Sequence, residues 1–94
     1  MTVPKIELAT PFIHNNGDRA DVLLDRILAA YTAVSDAMDT LRQCAPNGRN
    51  AYPVDGLMEQ LEAQHRQRQE CLQAVLDSLE AEANAISDEI REKD

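Results

Sequence analysis

Apolar residues recur along the first half of the chain at intervals of four and three positions, without a break. They are Ala20, Leu24, Ile27, Tyr31, Val34, Met38, Leu41 and Ala45. This heptad spacing is typical of a helix in a coiled coil. A second row, at every seventh position beside the first, consists of Leu23, Ala30, Ala37 and Cys44. Three apolar positions in seven are too many for one partner helix, so we expect a helix over about 19–45 with two neighbours.

The second half of the chain has a similar but interrupted pattern. Its heptad positions are Met58, Leu61, His65, Arg68, Leu72, Val75, Leu79, Glu82 and Ile86. The pattern predicts a second helix over about 55–91, with Asp55 as its N-cap. This helix is longer than the first by about ten residues, so we expect its acidic end to project or to meet another protomer.

Helix breakers divide the chain into three parts. Pro46, the Asn47-Gly48 pair and Pro53 define a linker over 46–54. Residues 1–18 form an N-terminal arm with two prolines, and Asp18 or Asn16 is the expected N-cap of the first helix. The predicted fold class is therefore all-α: an arm (1–18) and an antiparallel helical hairpin (19–94) that assembles into an oligomeric helix bundle.

Length and charge limit what this chain can do. Its 94 residues form one domain at most, and a two-helix hairpin buries too little surface to be stable without help, which favours a homo-oligomer. The net charge of −8 argues against double-stranded nucleic acid as a partner. No run of about 20 apolar residues could span a membrane and no signal-peptide pattern is present, so we expect a cytoplasmic protein. Hairpin geometry separates Cys44 from Cys71, which predicts free thiols.

Polar residues interrupt the apolar stripe of the second helix. If the chain reverses near residue 50, His65 and Arg68 lie level with Ser35 and Thr32, close to Tyr31. One interpretation is a ligand pocket inside the bundle. The other is a hydrogen-bonded layer that fixes the register of the helices.

Two turn segments are also candidate binding sites. In the linker, Arg49 could contact a phosphate and Tyr52 could stack on a base; alternatively, Tyr52 folds over the hairpin end and Arg49 only solvates the turn. Before the first helix, the segment with His14, Asn16 and Gly17 could bind an anion at the helix N-terminus, or could simply cap it. In an antiparallel dimer the arm of one protomer can reach the linker of the other, which would place a composite site between subunits.

Residues for catalysis are not evident in the sequence. The chain has no Gly-rich phosphate loop, no HExxH and no CxxC, and its two histidines and two distant cysteines lack the spacing of a zinc site. We therefore expect no enzymatic activity, no cofactor and no bound metal.

The order of the turn segments resembles a group of small bacteriophage and prophage proteins. The segments are residues 13–17, 45–49 with Tyr52-Pro53, and 64–68. More loosely, the chain is similar to the hairpin domains of phage anti-CBASS and anti-Thoeris sponges, which bind cyclic-nucleotide signals between subunits. The resemblance implies an accessory protein in the host cytoplasm that sequesters a nucleotide immune signal, with Tyr52 and Arg49 as ligand contacts. The alternative is a structural or inhibitory module that docks on a host protein through its helical stripe or the acidic terminus of its second helix.

Overall fold

The computed structural model describes residues 5–11 and 19–93, and they form an all-α structure. The helices are α1 (Ala20–Arg42), the short α2 (Gly48–Ala51) and α3 (Leu57–Lys93). No strand occurs among the described residues, so the all-α prediction is confirmed. α1 lies within the predicted range of 19–45, whereas α3 begins and ends two residues later than the predicted range of 55–91.

The two long helices lie side by side. At 1.5 Å per residue, α1 is about 35 Å long and α3 about 55 Å, so placed end to end they would span about 90 Å. The longest dimension of the molecule is only 63 Å, and the other two are 22 and 18 Å. The segment between the helices therefore reverses the chain, and the molecule is a rod two helices wide.

Local sequence explains where the helices end. Gln43, the C-cap of α1, keeps helical dihedral angles, and the backbone N–H groups of Cys44 and Ala45 donate to the carbonyls of Leu41 and Arg42 in tight turns before Pro46. A proline disfavours helical conformation in the residue before it, which is Ala45. At the other end of the reversal, Gly56 has a φ of +79° and α3 begins at the next residue. Only glycine adopts such an angle without strain.

The core lies where α1 packs against α3, which we call the seam. In part of α3, the buried residues are one position along the chain from the predicted heptad residues. The buried residues of the two long helices are Leu76, Ala83 and Ile86, and Ile86 is completely inaccessible. Val75 and Glu82, the predicted seam residues, are only half-buried. The prediction was wrong at these positions because residues 75 and 76 are both apolar, so spacing alone could not fix the phase of the stripe.

The register of the hairpin also differs from the predicted one. Gln43 and Cys44 line the same cavity as Gln64 and His65, which places the centre of the reversal near residue 54 rather than 50. The excess length of α3 therefore lies at its beginning, beside α2. The acidic end does not simply project, since Ala83 and Ile86 within it are buried. The shift follows from α2, whose helical turn occupies part of the segment expected to form a plain turn.

The described part of the arm lies along α3, on the side away from the seam. Lys5, Ile6 and Leu8 line a cavity of about 320 Å³ together with four residues of α3: Ala74, Asp77, Ser78 and Ala81. The small side chains of α3 on this side leave room for an extended segment. Ile6 and Leu8 remain 44% and 55% exposed, so the arm covers α3 incompletely.

The hairpin leaves much apolar surface uncovered. α1 contains no buried residue, and its second apolar row is exposed at Ala30, Ala37 and Cys44. The total accessible surface is 7117 Å², whereas a typical folded monomer of 10.5 kDa exposes about 5,400 Å². Among the described residues, no helix is both long enough and apolar enough to cross a bilayer.

Candidate functional site

The closed end of the hairpin contains a cavity of about 450 Å³. It lies where the end of α1, the linker and the beginning of α3 meet. Its lining residues are Gln43, Cys44, Ala45, Pro46, Asn47, Asn50, Leu57, Leu61, Gln64, His65 and Arg68. Three separate parts of the chain thus contribute to one concave surface, which is the usual form of a small-molecule site.

Hydrogen bonds from backbone N–H groups to one side chain fix the linker wall of this cavity. The side-chain oxygen of Asn47 accepts hydrogen bonds from the backbone N–H of Arg49, at 2.9 Å, and of Asn50, at 3.3 Å. Asn47 is therefore the N-cap of α2. Ala51, the last residue of α2, is 6% exposed and anchors this short helix on the hairpin. The positions of Asn47 and Asn50 in the wall follow from this capped turn.

The α3 wall supplies the charged and ionisable side chains. Leu61, Gln64, His65 and Arg68 recur at intervals of three and four, so they share one face of the helix. The Nδ1 atom of His65 is buried and has no hydrogen-bond partner. Arg68 is exposed and forms no ion pair within the part of the chain that the structure describes. The guanidinium of Arg68 is therefore available to a ligand, whereas the buried Nδ1 atom of His65 is not in contact with solvent.

The cavity differs in charge from the rest of the molecule. The chain has 17 acidic residues and a net charge of −8, yet no carboxylate is among the lining residues. The lining combines one guanidinium and one imidazole with four carboxamides, those of Gln43, Asn47, Asn50 and Gln64. This set provides many hydrogen-bond donors and a positive charge, which suits an anionic ligand with a polar ring.

The structure brings two of the predicted site residues, His65 and Arg68, into one cavity. They lie level with the end of α1, near Leu41 and Cys44, instead of Ser35 and Thr32, because the chain reverses later than expected. Tyr31 does not line the cavity, and it is about 18 Å along α1 from Gln43. No hydrogen bond to His65 or Arg68 makes a register-fixing layer among the described residues.

Two further predicted residues, Arg49 and Tyr52, do not line this cavity. Arg49, in α2, and Tyr52, directly after it, are both exposed and absent from the lining. Tyr52 is 85% exposed, so it does not fold back over the hairpin end. His14, Asn16 and Gly17 lie outside the described residues; the described N-cap of α1 is Arg19. A role for these five residues in ligand binding stays a prediction.

Sequence reasoning missed the carboxamides and one thiol. Gln64 could have been found from its spacing, since it precedes Arg68 by four residues on α3. Cys44 shares the cavity with His65, although their separation in sequence suggested no such pair. Cys44 and Cys71 are both free, as predicted. No cluster of three or more potential metal ligands occurs in residues 5–11 and 19–93.

A function for this chain has to be inferred from its cavity and not from similarity to known proteins. Comparison of the chain with protein-family models, curated proteins and solved structures gives no match. The resemblance to phage hairpin proteins thus stays a prediction from the sequence.

Proposed function

We propose that this protein binds and sequesters a small anionic ligand of the nucleotide class in the cavity at the closed end of its hairpin. It would do so without chemical conversion of the ligand and as a homo-oligomer, as expected of a phage-type accessory protein that removes an immune signal. The observation that carries the proposal is the absence of any carboxylate from the lining of the cavity in a strongly acidic chain.

The chemistry of the lining supports a nucleotide. A guanidinium such as that of Arg68 binds phosphate oxygens in a bidentate manner. Carboxamides both donate and accept hydrogen bonds, as the edges of nucleobases require. Leu57, Leu61 and Pro46 add an apolar surface on which a ring can pack. The volume of about 450 Å³ lies within the usual range of about 300–1,000 Å³ for ligand sites.

Isothermal titration calorimetry tests this proposal. The full chain is titrated with cyclic dinucleotides, cyclic trinucleotides and the cyclisation products of ADP-ribose. We expect saturable heat with at least one of these compounds, together with a rise in melting temperature that grows with ligand concentration. Recovery of the ligand unchanged after denaturation distinguishes sequestration from turnover. Flat titrations across the whole panel would reject the proposal.

A second candidate is a module that docks on a host protein. The observations in its favour are the exposure of Tyr52, at 85%, and Val54, at 60%, in the linker, and the lack of any buried residue in α1. The acidic half of α3 is the other candidate surface: residues 76–94 carry seven acids and two bases. Exposed acids there could imitate the charge of nucleic acid.

Substitution separates this candidate from the first. Removal of residues 80–94 would also remove the buried Ala83 and Ile86, so point changes are cleaner. A host protein captured by the wild type and lost with Glu80→Gln and Asp88→Asn, both exposed positions, would support docking through α3. These changes leave the cavity intact, so they should not alter nucleotide binding.

A further inference from the structure

A groove between α1 and α3 is lined almost entirely by apolar surface. Its volume is about 390 Å³, and its lining residues are Leu41, Gln67, Arg68, Cys71 and Leu72. On α1, the row with Ala30, Ala37 and Cys44 continues the same side, since Ala37 lies one turn before Leu41 and two turns before Cys44. Groove and row together form one long face, which we call the groove face.

We propose that a second copy of this chain packs on the groove face, through the same face of its own, to form a four-helix bundle. This specifies the partner surface of the homo-oligomer in the proposed function. A twofold-symmetric dimer requires a face that is complementary to itself. Small and apolar side chains on α1 allow two helices to approach closely, and the adjoining groove accepts side chains of the partner.

The exposed area agrees with an interface of this size. The chain exposes 7117 Å², about 1,700 Å² more than a typical monomer of its mass. A standard protein–protein interface buries about 800 Å² on each partner. The area that one such interface buries on each chain is therefore smaller than the additional exposed area. The interface would cover α1, which has no buried residue in the isolated chain.

Charge argues against a cationic partner on the groove face, since the lining of the groove contains Arg68 and no carboxylate. The acids of α1 lie more than a quarter turn around the helix from Ala30, Ala37 and Leu41, and all are exposed: Asp21, Asp25, Asp36 and Asp39. A cationic partner would be attracted to them and not to the groove face. Two copies can meet on the groove face without placing these acids against each other, although each chain carries a net charge of −8.

The groove face also touches the ligand cavity. Arg68 lines both the groove and the cavity at the closed end. A copy seated in the groove would therefore contact one wall of the cavity, and the binding site would lie at a subunit boundary. This last step rests on the proposed function, whereas the dimer itself does not.

Sedimentation velocity on the ligand-free chain, from micromolar to millimolar concentration, tests the dimer. We expect the wild type to sediment as a dimer of the 10.5 kDa chain. Ala37→Glu should raise the dissociation constant at least about a hundredfold, because it buries an unpaired charge in the interface. Ala37 is exposed in the single chain, so the substitution should leave the helical circular dichroism unchanged.

The control is Asn84→Glu, which also introduces one carboxylate. Asn84 is exposed and lies more than a quarter turn around α3 from every groove-lining residue of that helix, so the dimer of this variant should persist. Ala30→Glu, in the same row as Ala37, provides a second disruptive variant. A wild type that is monomeric over the whole range would overturn the proposal, as would an assembly of any order that survives both Ala30→Glu and Ala37→Glu. Nucleotide titration is separate: its failure would reject the ligand and leave the dimer result unaffected.

Discussion

The side-chain oxygen of Asn47 accepts a hydrogen bond from the backbone N–H of Arg49 at 2.9 Å, and this contact builds one wall of the cavity. The same oxygen also accepts from the N–H of Asn50. One side chain thus determines both the beginning of α2 and the shape of the closed end of the hairpin.

Asn47→Ala should lower the free energy of unfolding by about 1 kcal/mol, because it removes the side-chain acceptor of the Arg49 N–H and leaves the Asn50 N–H with only the backbone carbonyl of residue 47. Denaturant unfolding followed by circular dichroism, at fixed protein concentration, measures the change. Asn50→Ala is the control, since it removes a cavity carboxamide without removing the cap. An equal loss for both variants would contradict the capping role.

Gly56→Ala should destabilise the chain by about 1 kcal/mol. The φ of +79° at Gly56 is unfavourable for any residue with a Cβ atom, although the space around it is open. Gly48→Ala is a matched control because Gly48 is helical and its surroundings are also open. We expect that control to lose no stability and to gain up to about 1 kcal/mol. Thermal and denaturant unfolding should therefore show a lower stability than the wild type for Gly56→Ala, and an equal or higher stability for Gly48→Ala.

Ile86→Ala should lower the free energy of unfolding by about 2–5 kcal/mol, since it removes a completely buried side chain from the seam. Leu28, which is 47% exposed on α1, is the comparison. Leu28→Ala should lose about 1 kcal/mol or less. Similar losses at the two positions would show that the seam does not run through residue 86.

Arg68→Gln should weaken nucleotide binding by about tenfold to a hundredfold, the usual effect of losing one hydrogen bond to a charged group. Calorimetry with whichever compound of the panel binds the wild type gives the value. Arg66→Gln changes the net charge equally, but Arg66 is exposed and outside the cavity lining. If both variants weaken binding to the same degree, the effect is one of overall charge, and Arg68 has no specific contact with the ligand.

The sequence by itself determined the features that depend on neighbouring residues. The unbroken spacing from Ala20 to Leu41 indicated α1 because a helical stripe is a local property, and Pro46 and Pro53 marked the interruption between the helices. The excess of apolar positions on α1 indicated a helix without enough cover, and the structure leaves it with no buried residue.

Only the tertiary structure decided how the two helices slide past each other. The heptad pattern fits several registers almost equally well, and the phase at residues 75 and 76 was open because both are apolar. The capped turn of α2 and the burial of Leu76, Ala83 and Ile86 select one register. That register brings His65 and Arg68 level with the end of α1 and separates them from Tyr31. Since side chains on different helices meet only when packing fixes this register, the composition of the cavity could not be read from the sequence.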